Sequence, residues 1–345
     1  MASENEPLLN SSRSARRSAL EGTSEQLPSP APALPAAPVD ADEATELHDP
    51  RWAEYSGRPN ALTRFRYVWR EELAEAFGTA LIILFGAGVE CQTGLHYALN
   101  KDHAYSVGDP LMARFAWAAG VAMAVWMAGG ISGGHCNPSV TIALWMYRGF
   151  PLKRVPWYIG AQVFGGAMGA LLVYANYCYS IALFENGSGH ALTGPTATAG
   201  MFFTFPQPWL PAFSAFFSEA LASGVLIAMV FALSDRKNLP PPPGTMAVAL
   251  FIVLLGIGSS LGVNTGYAIN GARDSGPRIA LWLVGYGNEV WTHNSWWWAW
   301  GPWAGAIIGG IAGGFAYDTC IYTGRDSFLN RPVGGRSNTK IDDNV

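Results

Sequence analysis

Charge is what this sequence has least of. Of 345 residues, 13% are Asp, Glu, Lys or Arg, about half the share of an ordinary soluble chain, too little to clothe a soluble surface. The net charge of −4 leaves no basic stripe, which excludes a nucleic-acid footprint. Cysteine is also sparse. Cys91, Cys136, Cys178 and Cys320 form neither a Cys-x-x-Cys pair nor a metal-ligand spacing, which argues against a disulfide framework and a zinc site. No nucleophile, base and orienting group coincide in the apolar stretches, so the pattern is not that of an enzyme and asks for no cofactor. The start lacks an unbroken apolar core behind a basic end, so it does not read as a cleavable signal.

What is present is apolar and small: 50% hydrophobic residues and 40 glycines. The charges divide as 18 in residues 1–70, 21 in residues 71–322 and 7 in residues 323–345. Residues 1–65 read as a disordered arm, rich in Ser, Pro and Ala, and 323–345 as a polar tail. The arm carries Glu4-Asn-Glu-Pro-Leu8-Leu9, which has the form of an acidic dileucine sorting signal. Between the two, six stretches approach the ~20 apolar residues that cross a bilayer: Leu73–Val89, Phe115–Gly134, Val155–Phe184, Pro211–Ser234, Gly244–Leu261 and Trp300–Tyr317. Asn137–Met146 and Asn270–Leu281 are apolar but too short to span. Each follows a Gly-containing turn, as re-entrant half-helices do.

Arg148, Lys153, Arg154, Arg236 and Lys237 flank the connections after spans two and four, while 185–210 has no Lys or Arg and the first connection only Lys101. The excess of basic residues predicts that the former connections, and with six spans both termini, face the cytosol. The Asn186-Gly-Ser sequon then lies outside, where a glycan could be added. The plasma membrane is the expected location, with an endosomal or vacuolar membrane as the alternative. Pairs such as Gly165-Gly166 and Gly309-Gly310 read as close helix contacts, and Trp296-Trp297-Trp298 as an interfacial belt.

The chain repeats itself. Glu75 in Ala-Glu-Ala-Phe-Gly-Thr matches Glu219 in Ser-Glu-Ala-Leu-Ala-Ser, and each acid is followed by an Asn-centred half-helix, at Asn137 and Asn270. Three spans per repeat, about 66–190 and 211–322, force the copies into opposite orientations, with the functional site at the midplane.

The segments Ser132-Gly-Gly-His-Cys-Asn-Pro-Ser139 and Thr265-Gly-Tyr-Ala-Ile-Asn-Gly-Ala272-Arg-Asp resemble the two Asn-Pro-Ala boxes of the major intrinsic proteins, or aquaporins, over roughly residues 66–322. In the boxes, Asn137, Pro138 and Ser139 match the first, with Ser for Ala. Asn270, Gly271 and Ala272 match the second, with Gly in place of the Pro that would preset φ at a helix start. The resemblance implies an all-α membrane protein with six transmembrane helices and two half-helices, passive conduction and assembly as a homotetramer. It also implies an outer filter formed by Arg273 with Trp117 and Tyr267, placed by their offsets from the boxes. Two aromatics and one Arg resemble the glycerol-conducting branch, and Asp274 after the Arg is a mark of that branch.

The chemistry of these residue types is consistent with that role. An Asn at a half-helix start offers an NH₂ donor beside a positive dipole end, which orients water by its oxygen and opposes cations; its bland role is an N-cap. A guanidinium inside an apolar segment usually lines a water-filled path, unless it merely pairs with Asp274. Aromatic rings cradle a carbon chain while the guanidinium donates to hydroxyls. Glu75, Glu219 and His135 are expected to brace the re-entrant loops. The Cys136 thiol either reaches the pore wall or sits buried behind its loop. The expected function is a channel for glycerol, related polyols and water, with the lipid bilayer and the other protomers of the tetramer as partners. The alternatives are a water or hydrogen peroxide channel with poor polyol flux and a non-conducting structural membrane protein.

Overall fold

The computed structural model describes residues 60–99, 107–187, 189–325 and 327–330, and among these the backbone forms helices and turns but no strand. Residues 1–59, Lys101 and the tail beyond residue 330 lie outside the described residues, while the last part of the expected 1–65 arm, from Ala61 on, is helical rather than disordered. A short helix, α1 (Ala61–Val68), precedes α2 (Arg70–Leu99), α3 (Pro110–Ala128) and α4 (Pro138–Arg148). Then come α5 (Val155–Glu185), α6 (Ala212–Ser234), α7 (Met246–Leu261), α8 (Gly271–Leu281), α9 (Glu289–Trp298) and α10 (Ala306–Cys320).

Helices α2, α3, α5 and α6 are long and apolar enough to cross a membrane. Helix α7 has 16 residues, about 24 Å of rise. The last span is compound, a π-helical stretch at Ala299–Gly305 running directly into α10. Six spans and two half-helices are therefore present, with some ends displaced from expectation. Helix α2 continues past Val89 to Leu99, and α3 stops at Ala128 rather than Gly134. There the chain turns through Gly133 (φ 90°) and Gly134 (φ 64°), a conformation that glycine adopts without steric cost.

Local sequence fixes several ends. The Asp109 side chain accepts the Met112 N–H at 2.8 Å and Pro110 occupies the first turn of α3, a standard N-terminal pairing. Asn137 and Asn270 cap α4 and α8 with their own side chains. Helix α5 closes on Asn186, whose left-handed backbone (φ 46°) forms a C-terminal cap.

The repeat reappears in the packing. A Cβ on Gly165 of α5 would lie 2.0 Å from the Ala76 carbonyl oxygen of α2, and one on Gly309 of α10 would lie 2.0 Å from that of Ala220 in α6. Ala76 and Ala220 each follow an intramembrane acid. Small residues thus let each acid-bearing helix touch its partner backbone to backbone, the closest approach a membrane helix pair can make. Large apolar side chains such as Phe164, Phe213 and Ile252 point outward, each more than half exposed, as a surface solvated by lipid tails requires.

Candidate functional site

The two re-entrant loops carry backbone N–H groups that hydrocarbon could not satisfy, and the two buried acids receive them. Glu75 accepts from the backbone of His135 (2.9 Å) and Cys136 (2.6 Å), from Ser132 Oγ (2.6 Å) and from Gln162 Nε2 (2.7 Å). Glu219 accepts from Ala268 (3.0 Å) and Ile269 (2.6 Å) and from Thr265 Oγ1 (2.6 Å). His135 packs against Phe150 and Tyr158 and sits 3.1 Å from Thr141 Oγ1.

These loops deliver Asn137 and Asn270 to one place. Each Oδ1 accepts N–H groups of its own half-helix, Ser139 N at 2.8 Å for Asn137 and Ala272 N and Arg273 N at 3.0 Å for Asn270. Each Nδ2 also donates to the opposite loop: Asn137 to the Ile269 carbonyl (3.0 Å) and Asn270 to that of Cys136 (2.8 Å). The left-handed backbones of Cys136 and Ile269 (φ 46° and 44°) turn those carbonyls to meet the amides. An amide has two N–H donors, so one remains on each Asn, and both residues line a lumen of about 180 Å³ that reaches from Arg273 to Ser234. Capping and pore-lining coexist in the same side chain.

A second cavity of about 640 Å³ opens beyond the lumen, and Trp117 and Arg273 line both. They stand where the two spaces join, with Tyr267 on the lumen side. The Arg273 guanidinium lies 4.0 Å from the Trp117 ring centroid and donates toward the Phe202 carbonyl at 3.4 Å. Glycine notches seat both rings. A Cβ on Gly86 would fall 2.1 Å from Trp117 Cε3, and one on Gly258 would fall 2.8 Å from Tyr267 Cζ.

Asp274 turns away from this junction and does not pair with Arg273. It accepts from the backbone and hydroxyl of Thr204 (2.9 and 2.8 Å) and from Arg278 Nε (2.6 Å). Arg278, fully buried, also donates to the carbonyls of Thr204 (2.8 Å) and Val290 (2.5 Å) and faces the Phe203 ring at 4.1 Å. Together they tie the 189–211 connection to α8, which is how Phe202 reaches Arg273. No local pattern announces this, because Thr204 is some seventy residues from Asp274 and Arg278 and the connection has no periodicity. Glu90 was also missed: it lies just past the expected end of span one, and its carboxylate accepts from Trp117 Nε1 at 3.1 Å.

Cys136 borders the lumen, but its sulfur is directed at Gly78 of α2, where an added Cβ would lie 2.4 Å from it, so the thiol points back behind its loop. Ser139 is buried against the Gly310 region of α10. Gly271 has a steric reason: its Cβ would fall 2.5 Å from the Trp303 indole, so the Pro expected there has no room. Pro138 and Ala272 occupy the first turns of the half-helices without lining the lumen. Asn186 is exposed at the end of α5. The tryptophan belt needs correction at Trp297, which has no exposed surface and donates to Thr204 Oγ1 at 3.2 Å. It is a core residue of the outer layer, drawn inward by three consecutive left-handed residues, Asn294 to Trp296.

Two half-helices meeting tip to tip inside an inverted repeat, with an Arg and aromatics where the two cavities join, define a membrane channel. Residues 62–317 match the family model of the major intrinsic proteins, and the chain belongs to that family. It is 46% identical over 297 residues to an aquaporin of Laccaria bicolor, covering 86% of this chain and 88% of that one. It is 40% identical over 283 residues to the aquaglycerol porin AQY3 of Saccharomyces cerevisiae, covering 82% of this chain and 42% of that one. Among solved structures, the aquaglyceroporin of Plasmodium falciparum superposes with a TM-score of 0.63 at 26% identity, covering 73% of this chain and 96% of that one.

Proposed function

We propose that this channel passes glycerol and related small polyols as well as water. The observation that carries the reading is the composition of the junction. Two aromatic rings, Trp117 and Tyr267, stand with one guanidinium, Arg273, where lumen and vestibule meet. A polyol has an apolar carbon edge and a hydroxyl edge, and such a slot serves both. The relatives named as aquaglyceroporins support the same substrate class. In the lumen the free N–H groups of Asn137 and Asn270, beside two positive helix ends, turn water and hydroxyls by their oxygens and oppose cations.

In the same reading the Arg148, Arg154 and Arg236 end faces the cytosol, Asn186 faces outside and the protein works as a tetramer with one pore per protomer. The test is stopped-flow light scattering of proteoliposomes under glycerol and water gradients. Wild type should pass both with no proton current, and Tyr267→His should lower glycerol flux more than water flux. Water flux without glycerol flux would favour the water or peroxide alternative. Equal losses in Tyr267→His would remove Tyr267 from the filter.

A further inference from the structure

The vestibule holds two charged side chains that the filter as described does not use, Glu90 from α2 and Arg114 from α3. Each stands behind one aromatic wall. Glu90 accepts from Trp117 Nε1 at 3.1 Å, and the Arg114 guanidinium lies 5.0 Å from the centroid of the Tyr267 ring. We propose that Glu90 is a specificity-determining residue, holding the Trp117 indole in the orientation that sets the width of the polyol slot. The proposal rests on the polyol reading above.

The argument starts from what else restrains that ring. The Gly86 notch supports the ring from α2, and Arg273 packs against it at 4.0 Å. Both contacts are packing contacts and neither engages Nε1, so they leave the indole room to rock about its side-chain torsions. The indole has a single donor, Nε1, and a carboxylate tie at that atom fixes the remaining rotation. A hydrogen bond to an ionised acceptor is also stronger than a neutral one, and it enriches the ring that Arg273 faces, which reinforces the cation–π contact. Without Glu90 the N–H would be free to bind water or a solute hydroxyl in the slot. The apolar wall would become a polar one. Glu90 therefore acts through Trp117 as a positioning residue.

A merely structural role, satisfying a buried indole, would affect all permeants alike. The experiment compares wild type, Glu90→Ala and Glu90→Gln in proteoliposomes, reading glycerol and water permeability on the same preparations. The Ala variant should lower the glycerol-to-water ratio about tenfold, as expected for a modest rise in one barrier. The Gln variant, whose amide oxygen still accepts from Nε1, should bring the ratio back to within about threefold of wild type. A wild-type ratio in Glu90→Ala, an equal loss of both fluxes, or a Gln variant no better than Ala would overturn the proposal. A wild type that passes water but no glycerol would overturn the polyol reading, and this inference with it.

Discussion

The seat of Trp117 offers the most direct test of how the filter is dimensioned. At Gly86 an added methyl would lie 2.1 Å from Cε3, 2.2 Å from Cζ3 and 2.3 Å from Cδ2 of that ring. Carbon atoms settle at about 3.5–4.0 Å, so in Gly86→Ala the indole must retreat by ~1.5 Å. Helix α2 blocks one direction, and the guanidinium of Arg273, 4.0 Å from the ring centroid, lies in the other. The ring therefore moves into the slot. Replacing a helical Gly by Ala gains up to ~1 kcal/mol in propensity, while overpacking costs ~1–3 kcal/mol, so the variant should fold with little net loss. Glycerol permeability should fall at least about tenfold, since each ~1.4 kcal/mol added to a barrier is tenfold in rate. Water, which is smaller, should lose less. The control lies two residues along the same helix: a Cβ on Gly88 meets nothing within 4 Å, and Gly88→Ala should leave both fluxes unchanged. Stopped-flow measurements on the two variants decide the matter. An unchanged glycerol flux in Gly86→Ala, or equal damage from Gly88→Ala, would refute the reasoning.

Glu75→Ala would leave the N–H groups of His135 and Cys136 and the donors of Ser132 and Gln162 unsatisfied; at ~1–3 kcal/mol each, thermal unfolding in detergent should show a large loss of stability, and an unchanged midpoint would remove Glu75 as the loop's support. Gly271→Pro should destabilise by ~1–3 kcal/mol through the clash with Trp303, and Trp303→Ala should recover part of that in a double-mutant cycle, whereas additive losses would show that the indole is not the obstacle. His293 is held below the usual imidazole range by burial first and by the Arg278 cation second. The unfolded chain then takes up the proton first, so its contribution is complete above about pH 6.5 and is lost as the pH falls below that value. A midpoint that falls less between about pH 7 and pH 5 in His293→Gln than in wild type would bear this out, and parallel curves would not.

The spans and half-helices were legible because their signals are local. Runs of apolar residues and Asn137 before Pro138 announce their elements without reference to the rest of the chain, whereas the cap at Asp109-Pro110 was passed over and span two was placed five residues late. The matched acids Glu75 and Glu219 announced the repeat in the same way. What the sequence hid is lateral contact. Glu90 and Arg114 lie beside apolar runs, where a charge reads as the end of a span, yet both line the vestibule and so stay inside the fold. The spacing of Gly86 and Glu90 at i, i+4 was a usable sign, since it puts a notch and a carboxylate on one face of α2. Gly271 looked like a loosened helix start, and only the position of Trp303 shows why a ring cannot fit there. Trp297 looked interfacial because a run of tryptophans carries no record of the backbone turn that draws one of them inward.

The crossed amides of Asn137 and Asn270 bear on how the chain is made. A ribosome delivers the first repeat to the bilayer before the second exists. Until then the Asn137 amide lacks the Ile269 carbonyl, and the Cys136 carbonyl lacks its donor from Asn270. Glu75 and Gln162 already hold the first re-entrant loop within its own repeat, but its tip stays incomplete until a segment made more than a hundred residues later. The second half then completes both tips, each copy supplying the other's partners. A fragment ending after α5 would hold its spans but leave its loop unfinished, and adding residues 211–322 as a separate chain would supply the missing partners.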